Sequence, residues 1–152
     1  MKREKRLIDE KAGEDSALKV VKSIKRNIAH NKLYCALLYW CEGGKRDGEG
    51  IRFINSDPVL IKTFLALIRK SYNIDEKKLR ALMHLHGYHN EEFQKKFWSG
   101  ITGIPKSQFN KTFLKKSTGK RLKEDYAGCL AVSYHDVKIA REMKAIYKVF
   151  SA

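Results

Sequence analysis

Three groups of residues have types and spacings that could do chemistry. The first is Glu42, which ends the apolar run Cys35-Ala36-Leu37-Leu38-Tyr39-Trp40-Cys41 and is followed by Gly43 and Gly44. A carboxylate at that end of a helix faces the negative pole of the dipole, so it asks for a cation, a metal or open solvent. The second group is the basic run Lys106, Lys111, Lys115, Lys116, Lys120, Arg121 and Lys123, with no acid among residues 105–123. Phe109, Phe113 and Leu114 interleave with it. Such a run either solvates a loop and guards an edge strand or lays strands in a DNA groove while the loop grips phosphates. The second use is the favoured one. The third group is His84-Leu85-His86-Gly87-Tyr88-His89, the HxHxxH spacing of metallo-hydrolase sites. Tyr88 stands where such sites carry Asp. His84 and His86 would share a strand face, so zinc is geometrically possible, and polar-facing histidines at a nucleic-acid surface are the plainer reading.

Other chemistries find no support. Neither Gly43-Gly44-Lys45 nor Ser117-Thr118-Gly119-Lys120 has the spacing of a phosphate-binding P-loop. No nucleophile elbow or Ser/His/Asp set can be assembled.

The elements that must position these residues follow from periodicity. Leu18, Val21, Ile24 and Ile28 recur three or four apart, which predicts an amphipathic helix from Ser16, preceded by a frayed or tail-like stretch over 1–13. Leu33, Leu37, Leu38 and Trp40 predict the second helix, with Asn31 as its cap and left-handed glycine ending it. A short strand near 43–46 would turn at Asp47-Gly48 into Ile51–Asn55. Asp57-Pro58 starts a buried helix to about Tyr72. Leu79 to His86 alternates as a strand. A helix over 91–102 would turn Phe93, Phe97, Trp98 and Ile101 inward. Residues 109–116 read as a strand, 117–125 as a basic loop, Gly128 to Tyr134 as a strand, and Val137 to Phe150 as a closing helix with Ile139, Ala140, Met143, Ile146, Tyr147 and Phe150 inward.

The chain has 152 residues and a formal net charge of +15, with 43% hydrophobic residues. That composition predicts one folded domain over 31–152 behind a basic tail and helix over 1–30. The charge makes a polyanion the expected partner, because Lys and Arg release counterions from phosphates. Cys35, Cys41 and Cys129 form no CxxC pair and read as small core residues in a reducing compartment. No apolar run approaches the ~18 residues of a membrane span. The expectation is a cytoplasmic, nucleoid-associated protein with no membrane partner.

Several of these pieces together resemble a known group. Ala36-Leu37-Leu38-Tyr39-Trp40-Cys41-Glu42-Gly43, Phe53-Ile54-Asn55-Ser56-Asp57-Pro58, Phe97-Trp98 with Thr102-Gly103-Ile104-Pro105, and Tyr126-Ala127-Gly128-Cys129 look like small prokaryotic proteins similar to LAGLIDADG homing endonucleases. The resemblance covers about residues 31–150. It implies an α+β half-domain with an α-β-β-α-β-β-α core and one inserted helix. It implies double-stranded DNA as partner, and Arg52, Arg80 and His84 as further contacts beside the basic run. In the endonucleases the acid that ends the motif helix binds Mg²⁺, which assigns that role to Glu42, with a strand lysine, Lys111 or Lys115, supporting catalysis. One such helix per chain means that cleavage would need a homodimer. Three functions stay open: a DNA-binding protein with a regulatory role, a Mg²⁺-dependent endonuclease and, behind these, an RNA-binding or purely structural basic protein.

Overall fold

The computed structural model describes residues 2–25, 27–46, 48–115 and 126–152. The element order is α1 (Lys2–Ser23), α2 (Ile28–Glu42), β1 (Ile51–Asn55), α3 (Pro58–Ser71), β2 (Arg80–His86), α4 (Glu91–Thr102), β3 (Phe113–Lys115), β4 (Cys129–Tyr134) and α5 (Val137–Phe150). This is an α+β chain with a four-stranded mixed sheet in the order β1-β4-β2-β3.

Local chemistry sets the helix ends. The Asn27 side chain accepts from the His30 N–H at 2.9 Å, so α2 starts four residues earlier than a cap at Asn31 would allow. Asp57 accepts from Val59 and Leu60, and Pro58 fills the first turn of α3. Asn90 caps α4, and Gly103, at φ 71°, ends it in the left-handed region. Gly43 ends α2 differently. Its backbone is extended, and glycine is needed because a Cβ would collide with the ring and carbonyl of Tyr39.

Strand alternation sorts the sheet into two faces. Ile51 and Phe53, Ala81, Met83 and Leu85, and Leu130, Val132 and Tyr134 are buried against the helices. Phe53 stacks on Phe64 of α3 with ring centroids 4.0 Å apart. Helix α2 lies between α3 and α5. Its Cys35, Ala36 and Tyr39 are buried, and Ala140 and Met143 of α5 complete that layer. Burial pushes the Cys35 thiol up to about 12, which makes it an inert core group.

Several expectations need correction. Residues 2–13 are part of one helix that runs to Ser23, and none of α1 is buried. Cys41 is exposed, and Cys129 is only half-buried. Phe93 and Phe150 point to solvent, at 67% and 58% exposure. The strand expected at 43–46 shrinks to one antiparallel bridge, Gly43 with Phe53, and the Asp47-Gly48 turn lies partly outside the described residues. The strand expected at 109–116 is a parallel bridge at Phe109 and then the three residues of β3. β3 runs parallel to β2, so it cannot form a hairpin with it. Among the described residues, no helix is long and apolar enough to cross a membrane.

Candidate nucleic-acid interface

The second face of the sheet carries no helix among the described residues. Register places its side chains in rows. Arg52, Ser133 and Arg80 form one row, and Ile54, Ala131 and Leu82 the next. Cys129, His84 and Phe113 follow, then His86 with Lys115. No Asp or Glu stands on this face of the four strands. A groove of about 510 Å³ opens beside the first row, lined by Arg52, Leu82, Asn110, Ser133 and His135, with one acid, Glu49 of the segment before β1, also on its wall.

The cations differ in what holds them. Arg52 is exposed and makes no side-chain hydrogen bond or ion pair among the described residues. Arg80 turns its guanidinium back on the carbonyls of Lys77, at 2.6 Å, and Leu79, at 2.8 Å. It closes the short 3₁₀ turn before β2 as much as it charges the face. Lys115 places its Nζ 3.7 Å from the Cys129 Sγ, to which the Tyr126 hydroxyl also comes within 3.0 Å. Burial, then the contact with Cys129, holds the Tyr126 hydroxyl well above its ordinary range. His84 lies between these groups, its ring 5.3 Å from Phe113.

Lys111 is exposed between the Phe109 bridge and β3, at the sheet edge. Lys106 is not on the face; its Nζ is 3.6 Å from Glu92 of α4. Lys116, Lys120, Arg121 and Lys123 lie outside the described residues. Of the sequence-derived set, the sheet therefore gathers Arg52, Arg80, His84 and Lys115, with Lys111 at its border. Ser133, Asn110, Phe113 and Tyr126 belong to the same surface. The alternation of Cys129, Ala131 and Ser133 against Leu130, Val132 and Tyr134 is the signal that could have found Ser133.

Glu42 sits elsewhere. It is exposed at the end of α2 and has no hydrogen-bond or ion-pair partner among the described residues. The Lys45 ammonium donates to the Trp40 carbonyl, so a cation already answers the helix dipole there. Gly43 pairs on the outer side of β1, whereas Lys115 is on β3 at the other edge. Four strand spacings, about 19 Å, separate those positions. A single chain thus does not bring Glu42 and Lys115, or its neighbour Lys111, to one reacting centre.

The histidine cluster resolves into a turn lock. His89 Nδ1 receives the His86 backbone N–H at 3.0 Å, and Nε2 lies 2.7 Å from the Tyr126 carbonyl. Both ring nitrogens are committed to backbone, so His89 is not free to ligate zinc. Among the described residues, no three His, Cys, Asp or Glu side chains are grouped to hold a metal ion.

His84 gives the face a pH response. Burial, then the charges of Lys115 and Arg52, lowers its pKa. A histidine with a lowered folded pKa binds fewer protons than the unfolded chain, so stability falls as pH drops through the ordinary histidine range. A phosphate beside it would favour the protonated form. Duplex DNA affinity should therefore rise between pH 8 and pH 6 by more than in His84→Gln, measured by fluorescence anisotropy at constant salt. Identical slopes would remove His84 from the interface.

No family model matches this chain, and no curated protein matches it in sequence.

Proposed function

We propose that this chain binds duplex DNA through the uncovered face of its sheet, as a LAGLIDADG-like half-domain with a binding or regulatory role. The observation that carries this reading is the row-by-row gathering of Arg52, Arg80, His84 and Lys115 on a face whose strands hold no acid. The net charge of +15 supplies the long-range attraction. The four strands span about 14 Å from β1 to β3, so the inner strands β4 and β2 would face a major groove about 12 Å wide while β1 and β3 meet its phosphate walls. Phosphates would be met by Arg52, His84 and Lys115, and base edges by Ser133 and Asn110.

The second reading is a Mg²⁺-dependent endonuclease. It is supported by Glu42 alone, an exposed carboxylate without a partner among the described residues, at the end of the motif-like helix. One carboxylate does not make a Mg²⁺ site, since that cation takes several oxygen ligands. The fit would need Glu42 from a second copy, and no step is derived through the metal.

Gel-shift and plasmid-nicking assays with and without Mg²⁺, on the wild type and Glu42→Gln, separate the two. A binder shifts DNA without metal, nicks nothing, and binds as well or slightly better once the carboxylate is removed. Nicking that requires Mg²⁺ and disappears in Glu42→Gln would establish the enzyme. Absence of any shift by the wild type at low salt would overturn both.

A further inference from the structure

The open face of the sheet has two unlike ends. At one end, the row of Arg52, Ser133 and Arg80 offers cations and a hydroxyl. At the other end the side chains are mostly rings. His84 and His86 of β2 lie on this face, and Phe113 of β3 stands beside His84 with ring centroids 5.3 Å apart. Tyr88, in the turn that leaves β2, stacks parallel on His86, with centroids 5.5 Å apart and planes 4° from parallel. Arg80 and His86 mark the two ends along β2, about 20 Å apart at the rise of a strand.

Two of the rings are open to solvent. Phe113 is 55% exposed and Tyr88 is 47% exposed. Their neighbours hold Tyr88 in place. His89 packs on it at 4.3 Å, and both nitrogens of His89 are tied to backbone. Tyr126 closes on His86 and His89 at 6.1 and 5.8 Å. A ring already held loses little freedom when something stacks on it. Cations accompany the rings: Lys115 lies beside His86 in register, and Lys111 is exposed at the same edge. The acid that reaches this edge, Glu91, is answered by the Thr112 hydroxyl at 2.6 Å and by Lys95 at 3.9 Å.

A paired duplex makes poor use of exposed rings. Its base faces are covered by their neighbours, and its grooves present edges, which a phenyl ring meets only at the thymine methyl. An unpaired base shows its π-face, and rings set among cations are what such bases stack on. We propose that Phe113 and Tyr88 stack the unpaired bases of a DNA strand that leaves the duplex, while Lys111 and Lys115 hold its phosphates. The preferred ligand is then a duplex with a single-stranded tail, its paired part on the Arg52 end of the face. This rests on the reading of the sheet as a DNA-binding face, and the two can fail separately.

Fluorescence anisotropy at constant salt compares a blunt duplex with the same duplex carrying a single-stranded adenine tail. Adenine has no methyl group, so the one duplex use of Phe113 is left out. The tail should tighten binding by the wild type about tenfold or more, a change of about 1.4 kcal/mol or above. An abasic tail has the same phosphates without bases and should give little of that gain. The ratio of tailed to blunt affinity should fall toward one in Phe113→Ala with Tyr88→Ala, and Tyr88→Phe alone should keep it. Both side chains are exposed, and circular dichroism verifies that each variant is folded. Blunt and tailed duplexes bound equally would overturn this inference and leave the duplex reading standing. An equal gain from the abasic tail, or a gain kept in the folded double variant, would overturn it too. A larger gain from an RNA tail would overturn the assignment to DNA. Single strands bound with no binding of the blunt duplex would support the stacking and overturn the duplex reading, and no binding of either would overturn both.

Discussion

Raising salt from about 50 to about 200 mM should weaken duplex DNA binding on the order of 10³-fold, as expected for a protein that neutralises several phosphates. The effect should be largest of any condition change because the attraction comes from a chain with 32 Lys and Arg against 17 Asp and Glu. Its site can be located by the slope. Arg52→Glu with Lys115→Glu removes two exposed or half-exposed cations of the sheet face. The slope of log K against log salt should fall by about 1.8, near 0.9 for each phosphate no longer neutralised. Lys106→Glu serves as the comparison, since its ammonium already faces Glu92 at 3.6 Å off that face. It should change the slope less. A flat salt response would remove the electrostatic basis of the reading, and equal effects of the two substitutions would move the binding surface off the sheet.

How far the sequence carries can be judged from particular residues. Helices α3, α4 and α5 and strands β2 and β4 are legible because each has a cap or a clean period: Asp57-Pro58, Asn90 with Gly103, and the alternation of Ala81, Met83 and Leu85. The motif helix is legible but misplaced at its start, because Asn27 and Asn31 are equally good caps by type and only the fold chooses. The parallel pairing of β3 is not legible at all. Partner and direction of a three-residue strand depend on long-range register, and the local pattern of Phe113-Leu114-Lys115 has no period to read. The same limit applies to the site. Alternation can put Arg52, Arg80 and His84 on polar faces, but only strand order can put Glu42 and Lys115 on opposite edges. Arg80 shows a different gap: its charge is visible, while its commitment to the carbonyls of Lys77 and Leu79 is not. Exposed apolar residues read as core wherever helical spacing allows, as with Phe93 and Phe150, because amphipathic spacing does not say how wide the buried stripe is.

Trp98→Ala should be the most damaging single core substitution tied to this surface. The indole is fully buried in the core, beside Phe97. Its Nε1–H donates to the Ala127 carbonyl at 3.0 Å. That bond pins the backbone just before Gly128. Gly128 has φ 78° and would collide through a Cβ with the His84 carbonyl and Leu85. The next residue, Cys129, begins β4 opposite His84. Removing the indole leaves a cavity and an unpaired carbonyl at once, a loss of about 3–5 kcal/mol. Against a total stability of about 5–15 kcal/mol this is a large fraction. The melting temperature should drop on the order of 10 °C for a domain of this size, read by differential scanning calorimetry. Trp98→Phe keeps most of the volume and loses the donor, so its cost should be nearer the about 1–3 kcal/mol of an unsatisfied carbonyl. The two variants also separate packing from positioning. If the Ala127 bond holds β4 in register with β2, Trp98→Phe should weaken DNA binding well below its melting temperature, where the protein is still folded. Unchanged DNA affinity in folded Trp98→Phe would show that burial alone aligns β4, and an unchanged melting temperature in Trp98→Ala would contradict the packing described for α4.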